Sequence, residues 1–353
     1  MEATIEKLLA VAKERKASDL HITVGVRPKC RIRGELSEME EFGQLTPEMT
    51  KNMLEHILLD HQRNILYEKG EVDFAYSIKS LGRFRVNVFK QRGSYAAVLR
   101  LVSTTIPSAE SLGVPGSVIE LTKKKRGLVL VTGPTGSGKS TTLAALLDII
   151  NNHYNAHIIT LEDPIEYLHN HKKAIVNQRE IGLDTFSYAN ALRAALREDP
   201  DIVLVGEMRD LDTIATAITA AETGHLVFST LHTIGAAPTI DRIIDAFPPH
   251  QQTQIRVQLG SILESVISQQ LLPTADGKGR VAAFEVMHGT AAIKNLIREG
   301  KTHQIASVIQ TSRKLGMQTM DDALFDLFLK HKISSEKAIE FAQDTFAMQE
   351  KLF

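Results

Sequence analysis

Residues 133–141 read Gly133-Pro134-Thr135-Gly136-Ser137-Gly138-Lys139-Ser140-Thr141, which fits G-x-x-x-x-G-K-[ST] at every fixed position. The chemistry of that pattern is anion binding. Glycines let the backbone curl around a phosphate without Cβ clashes, so successive N–H groups point at one anion. A helix N-terminus behind the loop adds partial positive charge. Lys139 has the reach for β- and γ-phosphates, and the Ser140 hydroxyl can ligand Mg²⁺. Four fixed positions match by chance in about one ordinary sequence in a hundred. Here the match also follows the apolar run Leu128–Val131 and precedes a helical pattern. The whole run is read as a nucleotide-phosphate site with Mg²⁺.

Phosphoryl transfer also needs carboxylates for the metal and for water. Ile202-Val203-Leu204-Val205-Gly206-Glu207 is a buried strand ending in one acid, so Glu207 is placed beside the loop as metal support. Glu162-Asp163-Pro164-Ile165-Glu166 gathers three acids behind a second apolar run, Ile158–Leu161. One such acid would read as a loop cap or a solvated charge. A cluster at a strand end in a P-loop domain reads as functional, because open α/β sheets bind ligands at that edge. His225 and His232 flank the run Leu226–Phe228, and His232 falls on the edge expected for Glu207, where it could sense the γ-phosphate or polarise water. Positive charge for the transferring group often comes from an arginine in trans. Arg83, Arg85, Arg92 and Arg100 are candidates, equally readable as the polar face of a half-buried sheet.

The elements that must carry these residues follow from periodicity. Ile5, Leu8, Leu9 and Ala12 predict an amphipathic helix from about Thr4 to Lys16. Strands are expected at Asp19–Val24 and Lys29–Leu36, then helical pattern from Thr46-Pro47-Glu48 to Lys69, stopped by Gly70. Val72–Ile78, Arg83–Lys90 and Ser94–Val102 read as three more strands. Residues 1–102 therefore form a small α+β domain with an antiparallel sheet. Pro107, Gly113, Pro115 and Gly116 mark 103–122 as a linker. From 123 to 353 short apolar runs alternate with helical segments near Thr141–Asn151, Phe186–Arg197 and Leu211–Glu222, which argues for a mainly parallel sheet with helices on both faces. Beyond Pro238 the pattern is mostly helical, interrupted by a hairpin-like Asp276-Gly277-Lys278-Gly279.

Composition narrows the function classes. Of 353 residues, 43% are hydrophobic and 24% charged, which is ordinary for a globular protein. Lys and Arg number 41 against 42 Asp and Glu, so the chain lacks the basic excess of a nucleic-acid or anionic-membrane binder. The single cysteine, Cys30, excludes a disulfide framework and a multi-cysteine zinc site. Neither a signal peptide nor a membrane-spanning run is legible, so a cytoplasmic location is expected.

Taken in order, Gly133–Ser140, Glu162–Glu166, Gly206-Glu207-Met208-Arg209-Asp210 and Gly224–Thr233 resemble the Walker A, Asp box, Walker B and His box of secretion-superfamily ATPases. The chain is most similar to the PilT family of type IV pilus retraction ATPases, over nearly its whole length. Ser18-Asp19-Leu20-His21 and Ala292–Glu299 take part in the likeness, with Lys294 where the family's retraction signature has arginine. The resemblance implies a PAS-like N-terminal domain, a RecA-like P-loop ATPase domain and a homo-hexamer. It implies Glu166 as catalytic base and Glu207 as metal support, with His225 and His232 lining the site. It further implies partnership with an inner-membrane pilus platform protein at the inner face of the cytoplasmic membrane, without membrane insertion, and a possible paralogous retraction ATPase. A PilU-like accessory ATPase remains an alternative. An assembly or type II secretion ATPase fits less well, since those carry a tetracysteine motif and a longer N-terminal region.

Overall fold

The computed structural model describes residues 3–32, 34–79, 81–102 and 105–353. The chain divides into two compact units, Met1–Thr104 with Glu166–Leu168, and Thr105–Ile165 with His169–Phe353.

In the first unit α1 (Ile5–Glu14) starts where the Thr4 hydroxyl accepts from Lys7 N, and it buries Ile5, Leu8, Leu9 and Ala12. There follow β1 (Asp19–Ile22), β2 (Lys29–Ile32), β3 (Glu35–Glu38), α2 (Pro47–Ile57), α3 (Asp60–Lys69), β4 (Glu71–Ile78), β5 (Gly82–Gln91) and β6 (Ser94–Leu101). The strands form one antiparallel sheet in the order β3-β2-β1-β6-β5-β4. Two expectations are corrected here. The strand expected over Lys29–Leu36 is two, β2 paired antiparallel with β3, and Arg33 lies outside the described residues. The helix expected from Thr46 to Lys69 is two, because Leu58 and Leu59 are extended and the Gln62 side chain accepts from Leu59 N at 2.9 Å to start α3.

The second unit contains α4 (Gly116–Ile119), β7 (Gly127–Thr132), α5 (Lys139–His153), β8 (His157–Glu162), β9 (Ile175–Glu180), α6 (Tyr188–Ala195), β10 (Ile202–Val205), α7 (Leu211–Glu222), β11 (Leu226–Leu231), α8 (Ala236–Asp245), α9 (Pro249–Ile262), β12 (Leu263–Pro273) and β13 (Arg280–His288). The helices α10 (Ala291–Arg298), α11 (Ile305–Thr311), α12 (Met320–Leu329), α13 (Ser335–Phe341) and α14 (Thr345–Leu352) complete it. Its sheet runs β13-β12-β7-β11-β10-β8-β9, parallel except for β13 at one edge. Alternation along the strands supplies two cores. Leu128, Leu130, Val203, Val205 and Val227 join one apolar cluster, while Val129, Val131, Ile202, Leu204 and Phe228 join another. Successive side chains point to opposite faces, so both faces of the central strands are buried under helices.

Three strands were not foreseen. β9 carries a polar run, Asn177 to Glu180, and β12 follows α9 directly, Ile262 to Leu263, with no turn residues separating helix from strand. The expected turn at Asp276–Gly279 does connect β12 to β13. The expected linker is also corrected: Ala109, Val114, Val118 and Leu121 pack with Val129, Leu143 and Ile267, so 105–122 belongs to the second unit's core. Ser103 and Thr104, the linker's first residues, lie outside the described residues.

Candidate active site

β7, buried along its whole length, delivers the chain to the C-terminal edge of the sheet. Gly133 turns there with φ 139°, and a Cβ on it would overlap the carbonyl oxygen of Gln269 on β12. Gly138 caps α5 with φ 90°, and a Cβ on it would lie 2.9 Å from Gln269 Nε2. Gln269 Oε1 accepts from Thr142 Oγ1 at 2.8 Å. This glutamine, 3% exposed, therefore grips both ends of the loop. Sequence reasoning missed it because its strand was missed. Pro134, Thr135 and Gly136 are exposed, while Ser140 and Thr141 are half-buried in the first turn of α5. Lys139 is buried, and its ammonium donates to the carbonyl oxygens of Gly133 at 2.8 Å and Pro134 at 3.1 Å, which curls the side chain back over the loop.

The loop fits a nucleotide phosphate. Ser137 Oγ and Thr132 Oγ1 are buried and have no hydrogen-bond partner among the described residues. Each such hydroxyl costs about 1–3 kcal/mol, and a ligand bearing several anionic oxygens would satisfy donors of this kind. The N-terminus of α5 and Lys139 supply the matching charge. Magnesium held with a nucleotide needs only one or two protein oxygens; Ser140 and Glu207 are oxygen donors at this edge, as are Glu162 and Asp163. Among the described residues no group of three or more His, Cys, Asp or Glu could hold a metal ion by itself.

Glu207 follows β10 through a tight turn. Gly206 N donates to Leu161 O at 2.8 Å and Gly206 O accepts from Thr230 Oγ1 at 2.6 Å, which fixes the chain between its two neighbouring strands. A Cβ on Gly206 would stand 2.9 Å from the Tyr188 hydroxyl oxygen. The Glu207 side chain is 16% exposed and uses both oxygens: Oε2 binds Arg209 Nη2 at 2.8 Å and Oε1 lies 3.1 Å from His232 Nε2. The imidazole Nε2 therefore faces a carboxylate oxygen. The hydrogen bond to Glu207 raises the Arg209 guanidinium further. Burial, then the charges of Asp163 and Glu207, push the Tyr188 hydroxyl up, so it stays a neutral donor. Arg209 and Tyr188 are site neighbours that sequence reasoning did not single out.

Strand order brings these parts together. β11 lies between β7 and β10, with Leu231 beside Thr132 and Ser229 beside Val205. The loop after β7, His232 after β11, Glu207 after β10 and Glu162-Asp163 after β8 all leave the same edge. Glu162 Oε1 accepts from Thr160 Oγ1 at 2.6 Å and Gln178 Nε2 at 3.1 Å.

His225 is not brought there. Its backbone carbonyl accepts from Gly127 N at 3.0 Å and its Nδ1–H donates to Ala220 O at 2.9 Å, at the N-terminal edge of the sheet. A six-residue strand separates it from His232, a span of about 20 Å at ~3.3 Å per residue. Flanking the same strand put both histidines in loops, but loops at opposite ends. Glu166 is exposed and is grouped with the first unit. Arg85, also in the first unit, is exposed on β5 across from Arg100, whose Nε is engaged by Asp19 Oδ1 at 2.8 Å.

The family model described as "Type II/IV secretion system protein" matches residues 1–311. The chain is 50% identical over 339 residues to "Type IV pilus retractation ATPase PilT" of Pseudomonas aeruginosa, covering 96% of this chain and 98% of that protein. It is 42% identical over 337 residues to "Type IV pilus ATPase PilU" of the same organism, covering 96% and 88%. Among solved structures, "Crystal Structure of the Pilus Retraction Motor PilT and Bound ADP" is similar at TM-score 0.93 and 50% identity, over 99% of this chain and 100% of that one.

Proposed function

The chain belongs to the Type II/IV secretion system protein family, and from that premise we propose that it is an ATP-hydrolysing motor that retracts type IV pili and so drives twitching motility. The observation that carries the reading is the end-to-end likeness to a retraction ATPase, at 50% identity against 42% for PilU. The loop 133–141 binds the phosphates of ATP, with Lys139 on the β- and γ-phosphates and the Ser140 hydroxyl on Mg²⁺, supported by Glu207. When bound, Mg²⁺ neutralises charge that develops on the transferring phosphoryl oxygens. Glu166 accepts the proton of the attacking water. Glu207 orients the His232 imidazole toward the γ-phosphate, and Arg85 of a neighbouring subunit supplies positive charge in trans.

In this reading the working form is a homo-hexamer in the cytoplasm, docked on an inner-membrane pilus platform protein and able to work beside a paralogous retraction ATPase. Nucleic acid is not a partner; the 41 basic and 42 acidic residues support that. No described helix is long and apolar enough to cross a membrane. Glu166→Gln in the purified full chain tests the enzymatic part. ADP binding should match the wild type while ATP turnover falls about a hundredfold or more. Near-normal turnover removes Glu166 from the role of base.

A further inference from the structure

Away from the phosphate loop, one buried carboxylate gathers three separate segments. Glu285 lies on β13 directly across from Ser268 on β12, and it is 5% exposed. Its Oε1 accepts from Ala236 N, the first residue of α8, at 2.6 Å. Its Oε2 accepts from Gln343 Nε2, just beyond α13, at 3.1 Å, and from Met320 N, the first residue of α12, at 3.4 Å. Every partner is a donor, and two are helix N-termini, which favour an anion. Burial pushes this carboxyl above the ordinary carboxylate range, and the bonds from Ala236, Gln343 and Met320 pull against it.

α8 links this carboxylate to the loop that carries His232. Only Thr233, Ile234 and Gly235 separate His232 from that helix. Gly235 N donates to Ser268 Oγ at 2.9 Å, and Gly235 O accepts from Thr239 Oγ1 at 2.7 Å. Thr239 Oγ1 in turn lies 2.6 Å from Thr233 Oγ1. A Cβ on Gly235 would be 3.6 Å from Gln343 Nε2. The far end of the histidine loop is thus pinned to the cross-strand pair Ser268 and Glu285, and the same carboxylate holds the C-terminal helices. We infer that Glu285 is a positioning residue for His232, fixing the loop that presents the imidazole to Glu207 and making that placement depend on the docking of the C-terminal helices through Gln343 and Met320.

The inference rests on the proposed part of His232 in hydrolysis, and a double-mutant cycle on the full chain separates the two ideas. Glu285→Gln should lower kcat about tenfold while ADP affinity stays within about twofold, and the same change made in His232→Ala should cost less than about twofold. Gln343→Ala, at an exposed side chain, gives a second cycle should Glu285→Gln fail to fold. It should lower kcat about threefold in the wild type and leave His232→Ala unchanged. Equal losses in both backgrounds, or a matching loss of ADP affinity, overturn the positioning role alone. A His232→Ala enzyme with wild-type turnover overturns the role of His232 and the inference with it.

Discussion

His232 Nε2 and Glu207 Oε1 lie 3.1 Å apart at the ends of adjacent parallel strands, with Arg209 on the other oxygen at 2.8 Å. A carboxylate between an imidazole and a guanidinium attracts the polar N–H groups of both. Glu207→Gln keeps the shape but loses the charge that holds both partners. ATP turnover is expected to fall about a hundredfold or more, while ADP binding measured without Mg²⁺ stays near the wild-type value. Equal losses of turnover and metal-free binding would show that Glu207 serves only the fold.

Gln269 makes the glycines of the phosphate loop unequal. A Cβ on Gly133 meets a main-chain carbonyl, whereas a Cβ on Gly136 meets nothing within 4 Å and suffers only its φ of 81°. Gly133→Ala should destabilise by at least about 2 kcal/mol and abolish nucleotide binding, while Gly136→Ala should cost about 1 kcal/mol and weaken binding mildly. Melting curves and ADP titrations of the two variants check the order, and a reversed order contradicts the packing.

The parts of the site legible in the sequence were those whose residue types announce their chemistry. The nine residues from Gly133 to Thr141, Glu207 and His232 fall on one edge because short apolar runs fixed the parallel strands, and strand ends fixed the loops. Gln269 and Glu285 were invisible for the complementary reason. Gln269 sits on β12, where Ser265, Ser268 and Gln269 interrupt the apolar pattern to serve as hydrogen-bond partners, and Glu285 is a lone acid within the apolar β13. His225 was put at the site by the family resemblance alone; it precedes β11, and the direction of that strand sends it to the edge away from Glu207 and His232.

In the first unit Asp19 is buried, and burial pushes its carboxyl up. Hydrogen bonds from Arg100 Nε at 2.8 Å and Ser18 Oγ at 2.7 Å outweigh that and hold it below its ordinary range. A depressed carboxylate contributes stability above its unfolded pKa, near 3.9, that is lost as pH falls through the folded value. Since Arg100 is largely exposed, the contribution is about 1 kcal/mol. Asp19→Asn should therefore be less stable than wild type in urea at neutral pH, with the gap closing as pH falls below the ordinary carboxylate range. A gap unchanged in acid would mean that the ion pair is not its source.

Arg85 tests the proposed ring. Arg85→Ala subunits and Lys139→Ala subunits should each be inactive alone, yet mixed hexamers should regain part of the ATPase rate, because one subunit supplies the loop and its neighbour the guanidinium. Absence of rescue at every mixing ratio would remove Arg85 from a role in trans.

Retraction itself is tested most directly by counting surface pili on native cells that carry Lys139→Ala. The change deletes the ammonium that the loop carbonyls of Gly133 and Pro134 hold, and it leaves the strand and helix around it in place. Cells with excess pili that no longer twitch are the expected result. Bald cells would make the protein an assembly motor, and an unchanged pilus count would contradict any primary role in retraction.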